Sequence, residues 1–142
     1  MEQTSLNNRN ESFYSQIEKF GIRRRTVYNL IQEYGELTAQ EIKSKMVLGV
    51  NQVSGRITEL KELFYIVPVG SKNGVSRVKN TIWRVTAPVE RDSLIHEELI
   101  NLSIEKHNLE FDINNYFISN GLKEMGVKRL TKINELIKKL EK

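Results

Sequence analysis

The residues best suited to making specific contacts are a group of small and hydrogen-bonding side chains between positions 51 and 58. Val53, Ile57 and Leu60 recur at intervals of four and three and predict an amphipathic helix. The other side of that helix would present Asn51, Gln52, Ser54, Gly55, Arg56 and Thr58. Glutamine pairs with adenine edges, arginine bonds two acceptors on guanine, and small residues let a helix approach a groove wall closely. These residues predict hydrogen bonding to DNA; the alternative is a polar face that contacts only solvent.

A second group of cations lies in a predicted hairpin loop. Segments 65–69 and 81–86 are rich in β-branched and aromatic residues and predict two strands. The loop between them is rich in turn residues, with Asn73-Gly74 as the predicted tip. Its cations are Lys72, Arg77 and Lys79. Residues 63–89 hold four cations and no acid, so this loop would attract a phosphate backbone or enter a minor groove.

Two helices must precede these groups to position them. Apolar spacing predicts a first core helix over residues 22–34, stopped by Gly35. Thr38 and Glu41 form a capping box, which predicts that a short second helix begins at Thr38. The predicted order is therefore helix, helix, helix, hairpin.

The predicted turn between the second and third helices covers residues 46–50. Gly49 can take the left-handed conformation that a tight turn demands, and Asn51 is a good N-cap for the third helix. Val47 and Leu48 make this turn more apolar than a solvent turn usually is. We therefore expect the turn to pack against the C-terminal part of the chain.

Two residues near these elements have competing interpretations. Arg24 lies in a run of three arginines at the start of the first core helix. It could touch a backbone phosphate across the groove, or it could belong to a solvated helix entrance. Trp83 lies in an alternating strand, which favours a position in the core over base stacking.

These motifs resemble winged helix-turn-helix domains of the MarR-like and phage-encoded kind. The resemblance rests on LTAQEI at 37–42, on NQVSGRITEL at 51–60, and on the strand and basic loop that follow. It covers under half of the chain. It implies that a recognition helix contacts DNA through Gln52, Ser54 and Arg56. It also implies that a wing contacts DNA through Lys72, Arg77 and Lys79.

The sequence divides into three predicted regions. Residues 1–12 are polar without periodic apolar positions and predict a flexible arm, and residues 13–87 form the winged helix-turn-helix domain. Residues 88–142 predict a helical extension, with helices near 92–106, 113–119 and from about 127 onward. The predicted fold class is mainly α with a small β-hairpin wing, followed by this C-terminal helical extension.

The last predicted helix needs a partner surface. Its apolar seam is too short for an independent coiled coil. The seam consists of Leu130, Ile133, Ile137 and Leu140. The surface it needs belongs either to the same chain or to a second copy, which would make the protein a homodimer; the homodimer is favoured because a two-fold protein can read two half-sites.

Composition argues against several other classes of function. The chain has no cysteine, and no apolar run approaches the roughly 18 residues of a bilayer span, so we expect a cytoplasmic protein. His96 and His107 lack a surrounding ligand cluster, so no metal or cofactor is expected. Glu90, Asp92 and Asp112 have no spacing that favours a nuclease. Without a phosphate-binding loop or a nucleophile elbow, no catalytic residue and no enzymatic activity are predicted.

The distribution of charge agrees with a polyanionic partner for the first part of the chain. Residues 1–88 carry 13 Lys or Arg against 8 Asp or Glu, whereas residues 89–142 carry 9 against 10. The leading interpretation is a transcriptional regulator that binds double-stranded DNA in a sequence-specific manner. The abundance of Asn, Lys and Ile is typical of an AT-rich genome, such as that of a phage or its host. The alternatives are a winged-helix module for protein interaction and an accessory DNA-binding factor in replication or packaging.

Overall fold

The computed structural model describes residues 2–46, 50–74, 77–115 and 120–141. Within these ranges there are six helices and three strands. They are α1 (Glu2–Glu18), α2 (Ile22–Tyr34), β1 (Leu37–Thr38), α3 (Ala39–Lys45), α4 (Val50–Glu62), β2 (Ile66–Asn73), β3 (Lys79–Val85), α5 (Pro88–Asn115) and α6 (Asn120–Glu141). The chain divides into two compact units, residues 1–91 and 92–142, with the boundary inside α5. The predicted fold class is confirmed.

The first unit has the winged helix-turn-helix arrangement. Helices α2, α3 and α4 precede an antiparallel hairpin of β2 and β3, and the short β1 pairs with the other edge of β3. Leu37 lies opposite Trp83, and Thr38 lies opposite Ile82. Sequence reasoning did not predict β1, because its two residues form a strand only through pairing with distant β3.

The core of the first unit is built from the apolar side of each helix. Val53, Ile57 and Leu60 of α4 are buried, as their spacing predicted. They pack in one cluster with Val27 and Ile31 of α2. Trp83 packs against the edge of this cluster, in agreement with its predicted core position.

Tyr65, between α4 and β2, is the centre of an aromatic group within this core. Its ring centroid lies 4.9 Å from that of Phe20, 5.6 Å from that of Phe13 and 6.4 Å from that of Tyr28. Its hydroxyl donates to Gln16 Oε1 at 2.7 Å. Burial raises the pKa of Tyr28 to about 12 and also raises the pKa of Tyr65, so both phenols are neutral at pH 7. The group joins α1 to the helix-turn-helix.

The first helix extends further than predicted. Residues 2–18 form one helix, whereas the sequence predicted a flexible arm over 1–12. Phe13 and Ile17, four positions apart, are both buried and fix the end of α1 in the core. No glycine or proline interrupts residues 2–18, so a helix fixed at this end can propagate towards the N-terminus.

Two local signals act as predicted at the ends of α2 and α3. α2 spans Ile22–Tyr34 and stops at Gly35, which has φ 84° and donates its N–H to Ile31 O at 2.8 Å. The capping box is present at the start of α3. The Glu41 N–H donates to the Thr38 hydroxyl at 3.2 Å, and the Thr38 N–H donates to Glu41 Oε1 at 3.1 Å.

We expect Thr38→Ala to lower the free energy of unfolding of the first unit by about 1 kcal/mol, since alanine removes the acceptor that satisfies a helix-terminal N–H. The measurement is urea unfolding followed by fluorescence of Trp83, the one tryptophan of the chain. The control is Thr26→Ala, because the Thr26 hydroxyl only donates back to Ile22 O within α2. Equal losses for the two variants would contradict a capping role for Thr38.

The wing is a longer hairpin than predicted. Its paired register runs from Ile66 opposite Val85 to Asn73 opposite Lys79, with a bulge between Pro68 and Gly70. The connection is residues 74–78, closed by the Gly74 N–H donating to Val78 O at 2.8 Å. The predicted tip at Asn73-Gly74 is therefore the last β2 residue and the first residue of the turn.

The first turn of α5 is fastened to the first unit by two arginines. Arg84 donates to both carboxylate oxygens of Glu90, at 2.8 and 2.6 Å, and the hydrogen bonds lower the pKa of Glu90. Arg91 is buried, donates from Nε to Leu63 O at 2.9 Å, and lies 4.0 Å from the centroid of Tyr65. Residues 88–91 thus belong with the first unit, beyond the predicted boundary at 87.

The second unit contains the rest of α5 and all of α6. Ile133 and Leu140 of the predicted seam are buried, together with Leu102 of α5. Arg129 donates to both carboxylate oxygens of Glu105, at 2.7 and 3.0 Å, which links the two helices. Both helices are longer than predicted: α5 continues to Asn115, and α6 begins at Asn120 rather than near 127. Residues 116–119 of the predicted short helix lie outside the described residues.

Candidate nucleic-acid interface

The exposed side of α4 consists of small and uncharged polar residues in its first two turns. Gln52, Ser54 and Thr58 are exposed. At about 100° per residue, Gly55 lies on the side opposite the buried stripe of Val53, Ile57 and Leu60. The Thr58 hydroxyl donates to Ser54 O at 2.9 Å. The first two turns therefore present a flat surface with hydrogen-bonding groups at its margins.

Gly55 adds no side chain to this surface, and no neighbouring atom requires glycine at this position. A Cβ atom added there would meet no heavy atom within 4 Å. Glycine inside a helix costs roughly 0.5 to 1 kcal/mol relative to alanine. What the missing side chain provides is close access to the backbone of α4 from outside.

The start of α4 differs from the prediction. Val50 and Asn51 are both helical, so Asn51 lies inside α4 rather than at its N-cap. The Asn51 side chain and residues 47–49 of the apolar turn lie outside the described residues.

Arg56 does not lie at the centre of the exposed surface. Helical geometry places it on the flank of α4, about 60° from the direction of Val53. Its Nη2 lies 3.0 Å from Glu59 Oε1, and its Nε is buried and makes no hydrogen bond to the described residues. The sequence pattern grouped Arg56 with the exposed residues because it is polar, whereas the fold turns its guanidinium along the helix.

Arg24, on α2, binds the same carboxylate group of Glu59. Its Nε donates to Glu59 Oε2 at 2.9 Å, and its guanidinium lies 5.4 Å from the centroid of Phe20. The structure thus brings Arg24 and Arg56 together on Glu59. Glu59 is seven positions beyond Gln52, about 10 Å along the axis. The Arg24 contact is consequently near the C-terminal part of α4, away from Gln52.

The three predicted wing cations have different surroundings. Lys72 Nζ lies 2.8 Å from Glu41 Oε1, whereas Arg77 and Lys79 are exposed and have no carboxylate within 4.0 Å among the described residues. Lys79 pairs in register with Asn73, so both free cations lie at the distal end of the hairpin. Arg77 has φ 59°, a left-handed backbone conformation that is typical of a tight turn. The distal wing is the uncompensated positive part of the hairpin.

An open cleft lies beside the contact between α3 and the wing. Its volume is about 530 Å³, and Gln40, Lys43, Ser44, Asn73 and Asn80 contribute to its lining. Lys43, which the sequence analysis did not include, places a further exposed cation beside the wing. The antiparallel pairing of β1 with β3 helps to bring α3 to this position, and no local sequence pattern reveals this pairing.

Two other features, a metal cluster and a membrane-spanning helix, are not found among the described residues. Within those ranges no group of three His, Asp or Glu side chains is placed to hold a metal ion. In the same ranges no helix combines the length and apolar content that crossing a bilayer requires.

Comparison with protein families finds no matching family, and comparison with curated proteins finds no match. Similar solved structures include Bacillus subtilis PadR in complex with operator DNA, at 12% identity and a TM-score of 0.41, covering 85% of this chain and 96% of that one. Streptococcus pneumoniae FabT in complex with DNA matches at 16% identity and a TM-score of 0.41, covering 97% and 99% of the two chains. Similarity at this level assigns neither a family nor a function to this chain.

Proposed function

We propose that the first unit binds double-stranded DNA, with α4 in the major groove and the distal wing on the phosphate backbone or in the minor groove. The observation that carries this proposal is the pairing of two surfaces on one small unit. One is the low, polar, uncharged side of α4 around Gly55, and the other is the exposed cation pair Arg77 and Lys79.

The dimensions and chemistry of α4 suit this role. The major groove is about 12 Å wide and admits one helix. Gln52 can pair with a base edge, and Ser54 and Thr58 can reach a base or a phosphate. Arg24 of α2 is assigned to holding α4 against α2 through Glu59, and Arg56 pairs with the same Glu59 within α4.

The biological role that follows is regulation of transcription by a cytoplasmic, non-enzymatic protein, MarR-like in its DNA-binding domain and encoded by a phage or its host. The runner-up roles are an accessory DNA-binding factor with weak sequence preference and a module that binds protein through the same side of α4. The three differ in what they bind. A defined footprint favours the regulator, uniform binding favours the accessory factor, and absence of binding favours the protein module.

The test is binding of the purified chain to random and genomic double-stranded DNA at about 50 and about 200 mM salt. Between these two concentrations, binding through phosphate contacts weakens strongly. We expect binding that weakens steeply with salt and enrichment of one sequence class. No binding at the lower salt concentration would overturn the proposal.

Gly55→Ala separates DNA binding from a purely structural role for this position. We expect the unfolding free energy to rise by about 0.5 to 1 kcal/mol, because alanine is the better helix former and its Cβ meets open space. DNA affinity should fall about tenfold, since an extra methyl group in a close-packed contact costs about 1 to 3 kcal/mol. Urea unfolding and DNA titration measure the two effects. A stabilised variant with unchanged affinity would place the groove contact elsewhere.

We also propose that the second unit joins two copies of the chain. Ile100 and Ile104, four positions apart and therefore neighbours on one side of α5, are 48% and 56% exposed. Residues 92–115 of α5 carry six carboxylates and one lysine, whereas α6 carries six Lys or Arg and three Glu. Opposite net charges on the two helices also allow α5 of one copy to pair with α6 of another, beside the Arg129–Glu105 pair within each copy.

The test of self-association is the solution mass of the intact protein and of Ile104→Glu. A dimer that becomes a monomer in the variant supports this interface. A wild-type protein that is monomeric at high micromolar concentration contradicts it and leaves the DNA-binding proposal unaffected.

A further inference from the structure

The wing and α3 are joined by contacts at one rung of the hairpin. Lys72 of β2 and Asn80 of β3 are directly opposite each other in the register. Lys72 pairs with Glu41 at 2.8 Å, and Asn80 Nδ2 donates to Gln40 Oε1 at 3.2 Å. Two consecutive residues of α3 therefore hold both strands of the wing at the same level.

One carboxylate oxygen of Glu41 accepts hydrogen bonds from both the start of α3 and the wing. Its Oε1 accepts from the Thr38 N–H at 3.1 Å and from Lys72 Nζ at 2.8 Å. The hydrogen bond from Lys72, followed by the one from the Thr38 backbone, lowers the pKa of Glu41. The carboxylate is thus ionised at neutral pH and couples the first turn of α3 to the wing.

The turn of the hairpin fits closely against the second contact. A Cβ atom on Gly74 would collide with Asn80 Nδ2 and would lie 2.8 Å from Gln40 Oε1. Glycine at this position lets the hydrogen bond between Asn80 and Gln40 pass directly beside the backbone. The wing is therefore packed on α3 as well as paired with it.

We infer that Glu41 is a positioning residue for the wing, and that Lys72 anchors the wing to α3 instead of neutralising a DNA phosphate. The role of Glu41 is independent of DNA binding. Only the statement about Lys72 and DNA phosphate rests on the proposed function. Phosphate contact by the wing then falls to Arg77 and Lys79, which have no carboxylate partner among the described residues. A lysine already held by a carboxylate would have to break that pair to release a counterion from DNA.

The first experiment uses the full chain without DNA. Glu41→Gln keeps the capping box, since glutamine also occupies this position in such boxes, but it removes the charge that holds Lys72. We expect amide hydrogen exchange at residues 71–73 and 79–80 to accelerate by about threefold or more in Glu41→Gln and in Lys72→Met. The double variant should show no further acceleration, and Lys79→Met should match the wild type. Unchanged exchange in either single variant of the pair would overturn the inference.

The second experiment measures the dependence of DNA affinity on salt for the wild type, Lys72→Met and Lys79→Met. Each phosphate contact contributes about 0.9 to the slope of log affinity against log salt. We expect Lys79→Met to reduce the slope by about one and Lys72→Met to leave it unchanged while lowering affinity at every salt concentration. An equal reduction in slope for both variants would overturn the role of Lys72. If the wild type binds no DNA, the proposed function fails, and the exchange measurement alone decides the role of Glu41.

Discussion

Replacing Tyr65 with alanine should lower the free energy of unfolding of the first unit by about 3 to 5 kcal/mol, the usual cost of truncating a buried aromatic side chain. The side chain is 3% exposed and contacts rings from three places in the chain, Phe13, Phe20 and Tyr28. Arg91 covers a further side of the ring. Alanine would leave a cavity bordered by α1, α2 and α5, and these separate elements cannot all relax into it. Urea unfolding monitored by Trp83 fluorescence reports on this unit, because Trp83 lies in β3.

Two variants separate the sources of that loss. Tyr65→Phe removes only the hydrogen bond to Gln16 and should cost about 1 kcal/mol. Ile22→Ala, at a residue that is 76% exposed, should change stability by about 0.5 kcal/mol or less. If Tyr65→Phe were as damaging as Tyr65→Ala, the hydroxyl rather than the packing of the ring would hold the aromatic group together.

Ser54→Glu should weaken DNA binding about a hundredfold or more. The side chain is exposed in the first two turns of α4, so a carboxylate there would face the phosphates and base acceptors that the proposed binding mode brings close. Juxtaposed like charges at an interface cost several kcal/mol, and each factor of ten in affinity corresponds to about 1.4 kcal/mol. The effect is measured by fluorescence anisotropy titration of labelled duplex DNA at about 50 mM salt. Electrostatic binding is strong at this low salt concentration.

The matched control for this charge change is Asn29→Glu. Asn29 is exposed on α2, on the side opposite the buried residues Val27, Tyr28 and Ile31, and its replacement alters the net charge by the same amount. We expect a loss of threefold or less, of the size that a general change in charge produces. Similar losses in both variants would mean that DNA feels only the overall charge, and that α4 does not enter the groove.

The order of α2, α3, α4 and the hairpin follows from the sequence, because each of these elements has a local signal, whereas β1 does not. Gly35 stops α2 at the predicted residue, and the pair Thr38 and Glu41 starts α3 there too. The long helices were less accessible to prediction. Residues 107–115 contain no glycine or proline, so α5 continues through a polar stretch in which periodicity is weak. The limit of a helix in such a stretch depends on its packing and not on a local stop signal.

The candidate site was predictable to the extent that exposure follows from helical spacing. Gln52, Ser54 and Thr58 are exposed as expected. The partners of the cations were not predictable. Arg24 and Glu59 are 35 positions apart, and the pairing of Lys72 with Glu41 depends on how β1 brings α3 to the sheet. Long-range ion pairs leave no local pattern in a sequence, so basic residues that anchor the fold resemble those that are available to a ligand.

The bulge between Pro68 and Gly70 has a consequence for the behaviour of the protein at high concentration. β2 is an outer strand of the sheet, and an outer strand with regularly spaced N–H and C=O groups can add a strand from another molecule. Proline supplies no N–H, and the bulge interrupts the spacing of the remaining groups. The outer strand of the wing can therefore stay exposed to solvent while resisting edge-to-edge aggregation.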